Sequence, residues 1–212
     1  EKLDALASGL RESSVKTGSY ALRVEDRAAC AAVVDEAVAA FGRVDVLVNC
    51  AGVNTRMRPE QYAEDVWDRI IDINLKGSFN MCQAVHASMQ ARGKGKIINI
   101  GSILALASNA MTAAYSASKG GVLQLTRSLA CAWAADGITV NVIQPGWIDT
   151  ALSRQARVDI PGHAERVVAT TPMGRWGEPE DLIGPALFLA SAASDFMTGA
   201  SVVVDGGVTA HI

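Results

Sequence analysis

Val44-Asp45-Val46-Leu47-Val48-Asn49-Cys50-Ala51-Gly52 decides how this chain folds. Val44–Val48 is a nearly continuous apolar run, as a strand covered on both faces requires. It then breaks abruptly into small and polar residues. Upstream, Ala31, Val34, Val38 and Phe41 recur at helical spacing across Arg27–Phe41, and Gly42 reads as a stop. Tyr20–Val24 reads as a further strand, and Leu3, Leu6 and Leu10 share one helical face. Downstream, Pro59 opens a long helix through about Arg92, striped by Val66, Ile70, Ile73, Gly77 and Met81. Lys96–Ile100, Thr139–Ile143 and Ser201–Asp205 read as three more strands. Thr112–Ala135 is a helix ended by Gly137, and Pro179 suits the first position of another through about Ala192. Thr150–Trp176 carries Pro161, Gly162, Pro172 and Gly174 without clean periodicity, and reads as a mobile helical excursion over a site. Strands alternating with helices predict an α/β fold with a doubly wound parallel sheet, the four strands from Val44–Val48 onward being adjacent. No linker or repeat divides the chain, so a single domain is expected.

The chain has 212 residues, 50% of them hydrophobic and 19% charged, which suits one α/β domain and excludes disorder. A net charge of −3 without a basic block gives no reason to expect nucleic acid. No apolar run approaches the ~18–20 residues that cross a bilayer. Cys30, Cys50, Cys82 and Cys131 form no CxxC pair, and read as reduced thiols of a cytoplasmic protein. His86, His163 and His211 show no metal spacing and read as structural or surface residues. No metal is expected.

In parallel sheets, ligands bind beyond the carboxyl ends of the strands. Those ends carry Asn49-Cys50-Ala51-Gly52, Gly101-Ser102 and Pro145-Gly146-Trp147-Ile148-Asp149-Thr150. Tyr115 and Lys119 are four residues apart, so they share a helix face. A free phenol titrates near ~10. An ammonium ~5 Å away, at an effective dielectric of ~20, favours the phenolate by roughly 3 kcal/mol. The spacing alone is common on helix surfaces. Ser102 adds weight, because its hydroxyl follows a strand by one glycine and could polarise a substrate oxygen beside Tyr115. Asn74 lies among apolar neighbours and needs a hydrogen-bond partner.

These pieces resemble the short-chain dehydrogenase/reductase family. The matching motifs are Asn49-Cys50-Ala51-Gly52 (usually Asn-Asn-Ala-Gly), Asn74, Ser102, Tyr115-Ser116-Ala117-Ser118-Lys119, Asn141 with Pro145-Gly146, and Val204-Asp205-Gly206-Gly207. The resemblance implies a Rossmann-type sheet and hydride transfer between NAD or NADP and an alcohol or carbonyl. By it, Tyr115 is the acid/base, Ser102 holds the substrate oxygen, Lys119 binds the nicotinamide ribose and lowers the tyrosine pKa, and Asn74 holds a relay water. Cofactor contacts fall on Val24, Asn49, Ala51, Gly52, Tyr115, Lys119, Pro145, Gly146, Ile148 and Thr150. Substrate contacts fall on Ser102, Tyr115, Arg56, Leu104 and Trp147.

Two departures stand out. The family's first βαβ unit, with its glycine-rich turn, is absent ahead of Glu1, so a longer natural polypeptide is expected. Without that unit, little activity is expected. The family's adenine-contacting Asp is replaced by Arg23. Within the family, Asn74-Leu75-Lys76-Gly77-Ser78-Phe79 and Met173-Gly174-Arg175-Trp176-Gly177-Glu178-Pro179-Glu180-Asp181-Leu182-Ile183-Gly184-Pro185 resemble sugar-acid and polyol dehydrogenases of the gluconate 5-dehydrogenase and 2-deoxygluconate dehydrogenase kind. Arg56 would then read a carboxylate, with a solvated loop arginine as the competing reading. A 3-oxoacyl or cyclic-ketone substrate, and a non-catalytic scaffold, stay open as alternatives. Trp133, Phe79 and Met89 read as apolar surface in excess of one sheet face, which implies a homotetramer or homodimer.

Overall fold

The computed structural model describes residues 9–10 and 15–211. Among the described residues, four strands build one sheet: β1 (Val46–Asn49), β2 (Gly95–Ile100), β3 (Ile138–Pro145) and β4 (Ser201–Val204). They lie side by side in chain order, and every pair is parallel. Asn49 stands level with Asn99, and Ile143 with Val202, so all four carboxyl ends open on one side. β2 and β3 occupy the centre and are buried along nearly their whole length, which is why they read as unbroken apolar runs.

The helices are α1 (Arg27–Phe41), α2 (Glu64–Ile71), α3 (Gly77–Gln90), α4 (Ala113–Trp133), α5 (Ala151–Asp159), α6 (His163–Thr170) and α7 (Ile183–Ala190). On one face of the sheet, Val34 of α1, Val85 and Met89 of α3 and Leu129 of α4 close over Leu47, Ile97 and Val140. On the other face, Leu189 of α7 packs on Ile98 and Ile143. Asn141 fastens the last crossover: its amide donates to Met197 O (2.8 Å), and its oxygen accepts from Ala200 N (3.0 Å).

Several expectations need correction. Tyr20–Val24 is not a strand, because no described strand lies beside it to complete a ladder. Leu3 and Leu6 lie outside the described residues. β1 is not covered on both faces. It is an edge among the described strands, and Val48 is 48% exposed. On α1 the buried residues are Cys30 and Val34, while Ala31 and Phe41 face solvent; Asp26 caps the helix at Ala29 N and Gly42 ends it at φ 86°. Pro59 opens only a short 3-10 turn, Pro59–Gln61. The long helix starts at Glu64 and is interrupted by a π-turn, Asp72–Lys76. Ile70 and Gly77 of the expected stripe are buried, while Ile73 and Met81 are only half-buried; past the extra residue in that turn the buried side runs through Asn74, Ser78, Cys82, Val85 and Met89. Met89 is fully buried, and Phe79 and Trp133 pack against the same core, so none of the three is spare surface. The excursion at 150–176 holds two helices too short to display a period, α5 and α6. Its ends are stitched by Gly177 N to Trp147 O (2.9 Å) and Asp149 N to Gly177 O (2.8 Å).

Under the sheet runs a buried polar chain. Asn49 Nδ2 donates to Asn99 Oδ1 (2.9 Å), Asn99 Nδ2 to Thr126 Oγ1 (2.9 Å), and Thr126 Oγ1 to Val122 O (2.8 Å). It joins β1, β2 and α4 through buried side chains. Asn99→Ala deletes two of these bonds and strands their partners. At about 1 kcal/mol per bond plus the cost of the unpaired groups, it should lower the unfolding free energy by roughly 2–4 kcal/mol. Urea titration measures this, and a loss below ~1 kcal/mol would show that the chain does not fasten the sheet.

Candidate active site

The π-turn brings Asn74 to the carboxyl end of β1. Its side chain is fully buried. Oδ1 accepts from Val53 N (2.8 Å), and Nδ2 donates to Val53 O (2.9 Å) and to Ser118 Oγ (3.0 Å). One carboxamide thus clamps the loop after β1 to α4. Its main-chain carbonyl accepts from Ser78 Oγ (2.8 Å). Gly52 passes close by. A Cβ there would stand 3.5 Å from Asn74 Oδ1 and 3.7 Å from Lys119 Nζ.

Ser102 follows β2 and is fixed from below. Its N–H donates to Gln144 Oε1 (2.6 Å), and its hydroxyl accepts from Leu104 N (3.1 Å). The same hydroxyl faces Tyr115, in the first turn of α4, closely enough to lower its pKa. Lys119 comes up on the same helix face, with Nζ 5.6 Å from the centre of the Tyr115 ring. The ammonium donates to Ile100 O (2.8 Å), at the end of β2.

The electrostatics differ from the expectation at one point. Removal from water raises the Tyr115 pKa above the usual phenol value; the hydroxyl of Ser102 and the charge of Arg56 pull the other way. The expected lowering by Lys119 is not what tunes the phenol here. Lys119 is itself desolvated, which brings its pKa down to about 8, and its ammonium is turned to a backbone carbonyl.

The other expected residues divide by what their side chains meet. Asn49 turns inward, to Asn99, Ser78 O and Cys82, so it serves the core and not the cleft. Cys50, Ala51 and Gly52 are exposed on the crest after β1. Pro145 and Gly146 finish β3 against Val204, and Ile148 is buried in the stitch to Gly177. The Thr150 hydroxyl caps α5 through Ser153. Val24 rests on Gly77 of α3, and its carbonyl accepts from Asn80 Nδ2 (2.9 Å). Arg23 is exposed and paired with Glu25 at 2.9 Å. Leu104 is half-buried in the turn after Ser102. Trp147 is half-buried at the root of the excursion. Arg56 acts electrostatically on both Tyr115 and His163.

Two residues escaped the sequence reading. Gln144 positions Ser102, and the signal was an amide near the end of a mostly apolar strand. Ser118 anchors Asn74 and lies in plain view inside the Tyr115–Lys119 motif. His163, for which the sequence offers a structural or a surface role, is buried against Trp147, in keeping with the structural one. The crest fits a nicotinamide dinucleotide. Gly52 leaves an open backbone edge beside an ammonium, and a phenol and a serine hydroxyl stand next to it. That donor set suits a ribose diol with a carbonyl alongside.

A family profile described as Enoyl-(Acyl carrier protein) reductase matches residues 1–209. The chain is 44% identical to a 2-dehydro-3-deoxy-D-gluconate 5-dehydrogenase of Dickeya dadantii over 178 residues, 84% of this chain and 70% of that protein. It is 34% identical to a gluconate 5-dehydrogenase of Gluconobacter oxydans, covering 100% of this chain and 80% of the relative. Its structure superposes on that of a gluconate 5-dehydrogenase from Burkholderia cenocepacia, in complex with NADP and tartrate, with a TM-score of 0.94 at 40% identity over 98% of this chain and 81% of that one. With a profile spanning nearly all residues and the parallel sheet and strand-end cluster described above, this chain belongs to the short-chain dehydrogenase/reductase family and is an NAD(P)-dependent oxidoreductase.

Proposed function

We propose that the substrate is a sugar acid or polyol, interconverted between secondary alcohol and ketone at Ser102 and Tyr115. The observation that carries this reading is the placement of Arg56, a cation that acts on the Tyr115 hydroxyl from the loop after β1. The likeness to gluconate-type enzymes supports it, as does the tartrate bound to the Burkholderia protein.

The nicotinamide, when bound, supplies the hydride in reduction and takes it up in oxidation. Ala51, Gly52, Pro145, Gly146, Ile148 and Thr150 would hold the cofactor along the strand ends, with Lys119 at the ribose. Ser102, kept in place by Gln144, orients the substrate oxygen by a hydrogen bond. In reduction, the Tyr115 hydroxyl gives its proton to that oxygen; in oxidation, the phenolate takes it back. Lys119, with its pKa near about 8, can exchange protons close to neutrality and so restore Tyr115. Asn74 has both amide hydrogens committed, so we assign it to holding Gly52, Val53 and Ser118 in register around any relay water, through the clamp described above.

We also propose that the protein is a cytoplasmic homodimer or homotetramer. The free thiols Cys30, Cys50, Cys82 and Cys131 support a reducing compartment. No described helix is long and apolar enough to cross a membrane. Ile183 and Leu187 support self-association: one turn apart on α7, they are 54% and 64% exposed.

Three measurements test these readings on the full-length polypeptide. Tyr115→Phe should cut turnover at least ~10²-fold while sparing cofactor affinity, since only the transferable proton is removed. Retention of more than about a tenth of the activity would falsify the acid/base assignment. Arg56→Ala should raise KM for a sugar acid about thirty-fold and leave a neutral polyol nearly unchanged, given ~2 kcal/mol for a lost charged contact. Equal effects on both would remove Arg56 from the site. Sedimentation at micromolar concentration should show a dimer or tetramer, and a monomer would contradict the assembly.

A further inference from the structure

α6 begins directly after Gly162, whose left-handed backbone (φ 68°) turns the chain so that His163 enters the protein. The imidazole is only 8% exposed. Two indoles hold it edge-on. Its ring centre lies 5.0 Å from that of Trp147 and 5.8 Å from that of Trp176, at interplanar angles of 82° and 80°. The two indoles meet each other at 5.9 Å. Trp176 spends its N–H on Ala164 O (3.3 Å). The His163 Nε2 is buried and has no hydrogen-bond partner. A second buried nitrogen in the same state lies across Trp176. It is Nε of Arg157, whose guanidinium sits 3.9 Å from the centre of that ring while Nη2 reaches Asp149 at 3.3 Å.

Native proteins seldom leave buried donors unpaired unless a ligand or water meets them. The charge around this pair narrows the choice. Loss of water and the guanidinium groups of Arg56, Arg166 and Arg157 all press the His163 pKa below its usual value, so the ring is neutral at neutral pH. Arg56 reaches it from the loop after β1, Arg157 from α5 and Arg166 from its own helix. Asp149 offsets part of this charge by pairing with Arg154 and Arg157. Arg56 also acts on Tyr115. The charge of Arg56 therefore bears on both groups, and Trp147, whose ring meets His163, follows directly on the carboxyl end of β3.

We propose that His163 is a specificity-determining residue whose Nε2 hydrogen-bonds a carboxylate oxygen of the substrate, beside Arg56 and away from the end held by Ser102 and Tyr115. This rests on the sugar-acid reading given above. The neutral ring donates through Nε2. An arriving carboxylate offsets the guanidinium charges and draws the ring toward its protonated form, which strengthens the same bond. The two tryptophans set the ring's angle and leave its nitrogen for the ligand.

The test uses two variants of the full-length polypeptide, assayed with NADP or NAD on D-gluconate and on sorbitol. His163→Phe keeps an aromatic ring between the indoles and removes the nitrogen. It should raise KM for gluconate about tenfold or more, leave kcat within about twofold, and leave KM for sorbitol and the melting temperature unchanged. His163→Gln restores a donor at a similar reach and should bring KM for gluconate back to within about threefold of wild type. An unchanged KM for gluconate in the Phe variant, a parallel rise for both substrates, or no rescue by Gln would each overturn the assignment. If the wild-type protein turns over sorbitol but no sugar acid, the sugar-acid reading fails and takes this assignment with it. If the wild type prefers gluconate and His163→Phe keeps that preference, only the assignment fails.

Discussion

The carboxamide of Asn74 is the point at which this site is held together. It bonds both main-chain groups of Val53 and the hydroxyl of Ser118, so the loop after β1 and the helix carrying Tyr115 and Lys119 cannot move independently. It reaches them only because the chain between α2 and α3 runs through a π-turn. A regular helix advances about 100° per residue, so without the extra residue Asn74 would face away from both partners. The wide turn has a cost in backbone geometry, and the three buried hydrogen bonds offset it. Gly52 then lies open beside Lys119, and the crest on which a dinucleotide would lie inherits its position from this one clamp.

A second layer of buried polar groups works in the same way one strand further in. Gln144 fixes the backbone of Ser102, while Asn49, Asn99 and Thr126 tie β1 to β2 and α4. Apolar packing sets how close the layers come, but it tolerates small slips. Hydrogen bonds between specific side chains do not. The combination explains how Ser102, Tyr115 and Lys119, drawn from different elements, share one cleft.

Much of this was legible before the structure. β2 and β3 stand out because parallel strands buried on both faces are mostly apolar, and the Tyr115–Lys119 spacing places two groups on one helix face whatever the surroundings. The misses have physical causes. Tyr20–Val24 has strand-like residues, but a strand exists only with a neighbour. The π-turn is a change in backbone hydrogen bonding that side-chain periodicity does not encode. Val48 is exposed because β1 is an edge, which depends on the whole sheet. His163 carries no local signal at all: its burial and its unpaired nitrogen arise from Trp147 and Trp176, which are distant in sequence and meet it only through the fold.

The chain-order arrangement of the sheet has a kinetic consequence. Each described strand pairs with the one before it, so none has to be inserted between two already joined. The sheet can grow outward from a single advancing edge, each step closing one crossover of similar length and therefore of similar entropic cost, since that cost rises only slowly with loop size. β1 and β2 pair first, β3 joins them, and β4 is added last. A chain emerging from the ribosome could lay down these four strands in the order of its synthesis.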